Sequence, residues 1–361
     1  MTEKKIILFI PSIEGGGVEK NFFIISRFLA QKKKSVFLIT AEKKLLNKTN
    51  NIKIVNPKIN FWRKGTRLRK YIICILLLIK LIIKNRNCFV FSFQANVYAI
   101  IICKIFRVKI IARSNSSPSG WSSNFLKKTI FKIFFKLADR LIVNSKEFKK
   151  EMNKNYSVNP KVIYNPFDKK KIVNFSNIKI QKKFQSNKLK IITVGRLVDQ
   201  KNHLCLLKAL NNIKDKIKFE LIIIGKGKNY YQIKDYSFNN NLNKDVRIMY
   251  TNNPFPLIKQ SDLFILTSKY EGLPNVLLEA IALKKFIISS DCPTGPKEIL
   301  DNGKGGYLFK NNDYKSLSAK ILKFVNNKKY LKNKIAYAHK RLNRFDYKKN
   351  LIKYLNVINS I

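Results

Sequence analysis

The chain has 361 residues, 45% hydrophobic and 12% aromatic, enough apolar surface for the cores of two domains and too much for a disordered polymer. Lys and Arg number 73 against 21 Asp and Glu, a formal charge of +52; such a surface attracts anionic membranes, nucleic acid and phosphorylated substrates without choosing between them. His203 and His339 are the only histidines, and Cys74, Cys88, Cys103, Cys205 and Cys292 lack metal-ligand spacing, which excludes a histidine-rich metal site and points to buried thiols in a reducing compartment.

The apolar run 6–10 is too short for a secretory signal and meets Pro11 at once, so it reads as a first strand. A glycine loop runs into a helix over 15–31, followed by strands at 35–40 and 52–55. The helix expected at 66–84 contains the longest apolar run, 71–83, interrupted by Lys80 and shorter than a bilayer span. Strands at 89–93, 108–112, 140–143 and 161–164 then alternate with helices at 95–106, 124–138 and 145–152, the last with Ser145 as its N-cap. Residues 167–186 are polar, lysine-rich and weakly periodic, and read as an interdomain linker.

The alternation restarts with strands at 189–194, 219–224, 246–249, 263–266 and 286–289, separated by helices at 203–211, 230–237, 254–260 and 275–282. Helices at 314–324, 331–342 and 346–361 close the chain. Two successive runs of strand and helix predict two α/β domains with mostly parallel, doubly wound sheets, so ligands belong beyond the strand C-termini.

Five loops after strands carry candidate chemistry. Gly15, Gly16 and Gly17 let backbone approach a ligand at a helix start, although the dinucleotide spacing of glycines is absent. After the 189–194 strand come Gly195, Arg196 and Lys201; the pair of cations can hold a diphosphate, Arg by a fork and Lys as a point charge. Gly225 and Gly227 form a turn against which a base or ribose can rest, or simply a turn. The most specific loop is Glu271, Gly272, Leu273, Pro274, Asn275, Val276 and, one turn into the helix, Glu279. Proline is tolerated at a first helical position, and the free N–H groups near Asn275 and Val276 suit a phosphate. Helix-dipole neutralisation by Glu279 and a solvated Glu271 explain the two glutamates, but not the whole combination. The stiff loop over 290–298 is expected to border the same pocket.

These residues resemble the retaining glycosyltransferases of family 4, and the resemblance covers nearly the whole chain. Glu271 and Glu279 match the family's Glu-x7-Glu motif, Gly195, Arg196 and Lys201 its phosphate-binding loop, Gly15 to Gly17 its N-terminal glycine loop, and Asn165-Pro166 the segment before the linker. The loop Asp291-Cys292-Pro293-Thr294-Gly295-Pro296 looks like that of the bacterial surface-glycan branch. The resemblance implies the two-lobed glycosyltransferase-B fold, two Rossmann-like domains facing across a cleft. The acceptor domain is then 1–167, the linker 168–186 and the nucleotide-sugar domain 187–345, with helix 346–361 returning to the first domain.

The resemblance also implies roles. Arg196 and Lys201 contact the donor diphosphate and stabilise it as it leaves, Glu271 lies near the transferred sugar, Glu279 holds the ribose hydroxyls, and Gly17 approaches from the other lobe. No metal or other cofactor is implied, the donor being a nucleotide sugar, often UDP-linked. Many relatives carry a histidine in the first domain; here Arg113, Ser114 or Asn115 stands in the corresponding stretch as a possible sugar or acceptor contact.

The expected reaction is transfer of a hexose or N-acetylhexosamine to a lipid-linked or surface-glycan acceptor such as lipopolysaccharide or capsule. Basic residues 63–70 beside the apolar helix suit an anionic membrane, placing the protein in the cytoplasm on the inner face of the inner membrane; packing in the first lobe explains the same pattern. Specific nucleic-acid binding is disfavoured, because the sequence shows no zinc-finger spacing or RNA-binding aromatic signature. A UDP-sugar epimerase of the same fold is set aside on the family motifs.

Overall fold

The computed structural model describes residues 4–13, 17–33, 35–42, 51–115, 125–180, 184–185 and 187–361. The chain divides into two compact units: Met1–Pro166 with Tyr347–Ile361, and Phe167–Asp346.

Unit 1 is built on seven parallel strands: β1 (Lys5–Phe9), β2 (Val36–Ile39), β3 (Lys53–Val55), β4 (Cys88–Ser92), β5 (Lys109–Arg113), β6 (Arg140–Val143) and β7 (Lys161–Val162), in the order β3-β2-β1-β4-β5-β6-β7. The connections are α1 (Gly17–Lys32), α2 (Asn60–Lys64), α3 (Arg67–Lys84), α4 (Asn96–Ile105), α5 (Phe125–Leu137) and α6 (Lys146–Tyr156). The two-residue period of a strand divides the core in two. Ile7 and Phe9 of β1 face the layer of α3, α4, α5 and α6. Ile6 and Leu8 face α1 and the C-terminal helix Tyr347–Asn359, which contributes Leu351, Tyr354, Val357 and Ile358. Ser145 caps α6 as its sequence predicts, its Oγ accepting from Phe148 N at 3.0 Å.

Unit 2 opens with a difference from the sequence reading. Within the expected linker, Lys169–Ser176 folds as α7, capped by Asp168, whose carboxylate accepts from Lys171 N at 3.0 Å. Ile172 is buried, and α7 packs on two later helices of the same unit. Its three leading lysines hide the short apolar stripe that directs it inward.

Six parallel strands follow: β8 (Leu189–Val194), β9 (Phe219–Ile224), β10 (Val246–Met249), β11 (Leu263–Leu266), β12 (Phe286–Ser290) and β13 (Tyr307–Phe309), in the order β10-β9-β8-β11-β12-β13. The helices are α8 (His203–Asn211), α9 (Tyr230–Asn239), α10 (Phe255–Gln260), α11 (Asn275–Ala282), α12 (Pro296–Ile299), α13 (Tyr314–Asn326) and α14 (Lys328–Arg341); the C-terminal helix of unit 1 is α15. β13, a three-residue edge strand, and the short helices α2 and α12 go unseen in the sequence because they are too brief to show a period. Phe167 and Asp346 form a bridge, supported by Phe167 N donating to Phe345 O at 2.9 Å, so unit 2 begins and ends at one place.

Candidate active site

In unit 2 the sheet grows outward from β8 in both directions, with β9 on one side and β11 on the other. All strands are parallel, so the loops after β9, β8, β11 and β12 gather at one end, around the switch point where such sheets bind ligands.

The loop after β8 is pinned from its β9 side. Gly195 N donates to Ile224 O at 2.9 Å, Leu197 N to Lys226 O at 2.8 Å and Asn229 N to Leu197 O at 3.0 Å. The fit leaves no space for side chains: a Cβ on Gly225 would lie 1.9 Å from Gly195 O, and one on Gly227 would lie 2.2 Å from Leu197 O. Gly225 and Gly227 therefore serve the packing of the two loops. Lys228 and Asn229 bind the Asp199 carboxylate, which holds that carboxyl below its ordinary range.

The β11 loop is pinned from both sides. Lys269 N donates to Gln200 O at 2.8 Å, Gln200 Nε2 to Tyr270 O at 2.9 Å, and Thr267 Oγ1 to Lys201 O at 2.9 Å. From the β12 loop, Pro293 O accepts from Glu271 N at 3.2 Å and Thr294 Oγ1 donates to Glu271 O at 2.5 Å. Gly295 has φ +89°, and a Cβ there would stand 2.4 Å from Gly272 O. The 290–298 loop thus borders the site as expected from its stiffness.

At the centre Lys201 Nζ donates to Glu271 Oε1 at 2.5 Å. Both side chains are largely buried, 15% and 9% exposed, so this pair keeps more of its Coulomb attraction than a surface pair. Arg196 is exposed at the start of the same loop. Cys292 lies beside the pair, its thiol pushed up to about 12 by burial and by the Glu271 charge. His203, two residues after Lys201, is 4% exposed and is held neutral by burial, its pKa lowered to about 4.

Leu273 is buried ahead of α11, and Pro274 takes the N-cap position in extended geometry; no side chain caps this helix. Asn275 and Val276 form its half-buried first turn. Glu279, four residues after Asn275, shares that helical face and is 4% exposed. The structure brings Glu271 and Lys201, both named from the sequence, together beside the α11 turn. Sequence reasoning missed Gln200, Thr267 and Thr294, whose roles are hydrogen bonds to backbone carbonyls and leave no mark in spacing.

In unit 1, Gly15 and Gly16 lie outside the described residues, and Gly17 is the first residue of α1. Arg113, named from the sequence as a possible sugar or acceptor contact, lies in the interior of unit 1. It is fully buried, its Nε donating to Tyr354 Oη and its Nη2 to Asn165 Oδ1, both at 2.8 Å. Desolvation of a guanidinium needs such partners, and they tie β5 to α15. Ser114 is 5% exposed and Asn115 half-buried. Asn115 Nδ2 donates to Phe93 O at 3.0 Å, and Asn144 Nδ2 to Asn115 O at 3.3 Å. The Oδ1 atoms of Asn115 and Asn144 have no partner among the described residues. No cluster of three or more His, Cys, Asp or Glu among those residues could hold a metal ion.

Residues 15–171 match the family model described as Glycosyltransferase Family 4, and residues 174–341 match that of Glycosyl transferases group 1. The chain belongs to the glycosyltransferases. This glycosyltransferase is 25% identical, over 98% of its length and 99% of the relative's, to the N-acetylgalactosamine-N,N'-diacetylbacillosaminyl-diphospho-undecaprenol 4-alpha-N-acetylgalactosaminyltransferase of Campylobacter jejuni. It is 30% identical to the uncharacterized glycosyltransferase MJ1059 of Methanocaldococcus jannaschii, an alignment covering 56% of this chain and about half, 53%, of that relative. The solved structure of HepE from Anabaena in complex with UDP superposes with a TM-score of 0.78 at 16% identity, over 99% of this chain and all of that one. The glycosyltransferase-B class expected from the sequence is the fold of this glycosyltransferase.

Proposed function

We propose that the protein moves a hexose or N-acetylhexosamine from a UDP-linked donor to a lipid-linked or surface-glycan acceptor, with retention at the transferred carbon. The observation that carries this reading is the Lys201–Glu271 pair, held by three pinned loops at the switch point of unit 2. The Campylobacter relative's name, an α-N-acetylgalactosaminyltransferase acting on a diphospho-undecaprenol-linked sugar, and the UDP bound to HepE support the acceptor and donor classes.

The ion pair with Glu271 holds the Lys201 ammonium in place. An arriving diphosphate competes for the same ammonium, with Arg196 adding its fork and the first turn of α11 its N–H groups. Glu279 takes the ribose hydroxyls. Glu271, released from Lys201, turns to the hydroxyls of the donor sugar.

The bond between the sugar's anomeric carbon and the phosphate oxygen breaks as a bond to the acceptor oxygen forms on the same face. The acceptor proton passes to the departing phosphate oxygen, leaving UDP and the new glycoside. Lys201 and Arg196 favour the step because the diphosphate, already dianionic in the donor, gains further negative charge as it separates and is then bound more strongly. These cations carry the charge, so no metal is required. In unit 1 the unused Oδ1 atoms of Asn115 and Asn144 can accept hydrogen bonds from sugar hydroxyls.

The test is transfer from a panel of radiolabelled nucleotide sugars to a bacterial lipid-linked acceptor extract, with and without a chelator. Chelator-resistant label in lipid from one UDP-sugar supports the reading. Folded protein that neither transfers nor hydrolyses any donor overturns it.

A further inference from the structure

The end of the unit 2 sheet opposite the candidate active site is hollow and basic. Leu189 begins β8, and Lys218, Asp262 and Lys285 directly precede β9, β11 and β12. The strands are parallel, so these starts share one end of the sheet, and the length of β8 sets that end about 20 Å from the loops of Lys201 and Glu271. There the strand starts, α13 and α14 enclose a groove of about 700 Å³, within the roughly 300–1,000 Å³ of small-molecule sites. It adjoins a second hollow of about 350 Å³ that shares Lys284, Lys332 and Ile335 and includes His339.

Seven of the 17 residues lining the larger hollow are lysine, against 73 Lys and Arg in 361 residues overall. They come from four stretches between positions 188 and 332, so neither composition nor a local lysine run gathers them. Lys188 is paired with Asp245. The other six, Lys190, Lys216, Lys218, Lys284, Lys285 and Lys332, have no carboxylate at ion-pair distance among the described residues. Asp262 is the one acid lining the groove among those residues, and its carboxylate accepts from Lys190 N at 2.9 Å. Lys285 is half-buried, its Nζ donating to Ser261 O at 2.8 Å, and burial holds its pKa below the ordinary lysine value. Lys284 stands just past the end of α11 with φ +55°, in the left-handed position where glycine is the usual residue. Like charges gathered in this way repel, and an anion among them relieves the repulsion. Between the ammoniums the floor is apolar: Ile217, Val325 and Ile335 are half-buried beside the buried Phe286 and Phe324.

We propose that this groove is a second ligand site, one for a nucleoside polyphosphate. The lysines meet the phosphates as point charges, and the apolar floor, with the half-buried His339 imidazole in the adjoining hollow, takes the base. An inorganic polyphosphate satisfies the cations but leaves Ile217, Val325 and Ile335 wet. A folded acidic protein covers the rim without filling the hollow. Charge, apolar floor and volume together select a nucleotide. The ligand sits at the strand starts, so it does not compete with a diphosphate at Lys201, and the site requires neither the donor nor the acceptor named above.

The experiment is equilibrium dialysis of the full chain with radiolabelled ATP in the presence of a chelator, at about 0.15 M salt and with saturating unlabelled UDP. One ATP binds per chain, and tripolyphosphate displaces it at least tenfold more weakly than unlabelled ATP does. The triple variant Lys216→Gln, Lys218→Gln, Lys332→Gln, all at exposed positions, binds ATP at least tenfold more weakly with unchanged circular dichroism. A control triple on α6, Lys146→Gln, Lys150→Gln, Lys154→Gln, removes the same charge from exposed positions of unit 1 and binds like the parent. Lys284→Gly also weakens binding, while its melting temperature does not fall. Irradiation with 8-azido-ATP labels peptides containing Ile335 or His339. No saturable ATP binding with UDP present overturns the proposal, as does equal loss in the two triple variants, which is the mark of diffuse charge alone. So does photolabel on the Arg196–Lys201 peptide, displacement by tripolyphosphate as effective as by ATP, or tighter binding of an acidic amphipathic peptide that the Lys216, Lys218, Lys332 triple abolishes.

Discussion

Lys201 and Glu271 stand 70 positions apart in the chain and meet through one short hydrogen bond, so removing either leaves its partner charged and largely buried. Lys201→Ala is expected to lower the transfer rate by about 10²–10³-fold, measured as kcat with saturating donor, and to leave the fold intact. The glycines beside the pair separate packing from chemistry. Gly225→Ala places a methyl 1.9 Å from Gly195 O and costs about 3 kcal/mol in urea unfolding, because backbone must move. Gly195→Ala meets only the Lys201 chain at 3.4 Å and costs about 1 kcal/mol or less.

His203 adds a pH dependence of definite sign. Its folded pKa, about 4, lies below the ordinary 6.5 of an unfolded histidine. The unfolded chain therefore takes up the proton first, and stability is full above that ordinary value and falls as pH drops below it. Between about pH 7.5 and 5.5 the loss from this group is about 1.4 kcal/mol. Urea unfolding at the two pH values measures the drop for the parent, to which His339, also held below its ordinary value by burial, adds, and the His203→Gln variant shows a drop smaller by the His203 amount.

At the scale of elements, what the sequence declares is what is local. Ser145 is followed at once by the helix it caps, and Ser145→Ala is expected to cost about 1 kcal/mol in chemical denaturation. The long strands and helices are legible because apolar residues recur along one segment at one period. α7 is not, since Lys169, Lys170 and Lys171 begin it and its stabilising contacts come from α10 and α11, far along the chain. Arg113 misleads for the same reason. Its partner Tyr354 is 241 residues away, and nothing beside Arg113 announces it. Tyr354→Phe, which deprives a buried guanidinium of an acceptor, is expected to cost about 2–3 kcal/mol by the same measurement. The candidate site was legible as motif, from Gly195 through Glu279, but its pinning by Gln200, Thr267 and Thr294 arises only when β8, β11 and β12 are laid side by side.

At the scale of the molecule, the five cysteines are all free and buried, and burial raises their thiols, those of Cys88 and Cys205 to about 11 and those of Cys74 and Cys292 to about 12. A thiol reagent at neutral pH is expected to label none of them within minutes in the native protein and all five after denaturation, since thiolate and access are both withheld. The division of the chain has a consequence for its birth. α15 supplies Leu351, Tyr354, Val357 and Ile358 to one of the two cores of unit 1, yet it leaves the ribosome only after all of Phe167–Asp346. Translation of that interval takes roughly 10–40 s at ordinary rates. For that time the second unit to be made can fold while the first waits, with one side of its sheet, including Ile6, Leu8 and Phe91, lacking its α15 cover. The nascent chain therefore passes through a long-lived sticky state whose duration is set by the length of the unit inserted into it, and the chaperones that meet it there have an apolar sheet face to hold.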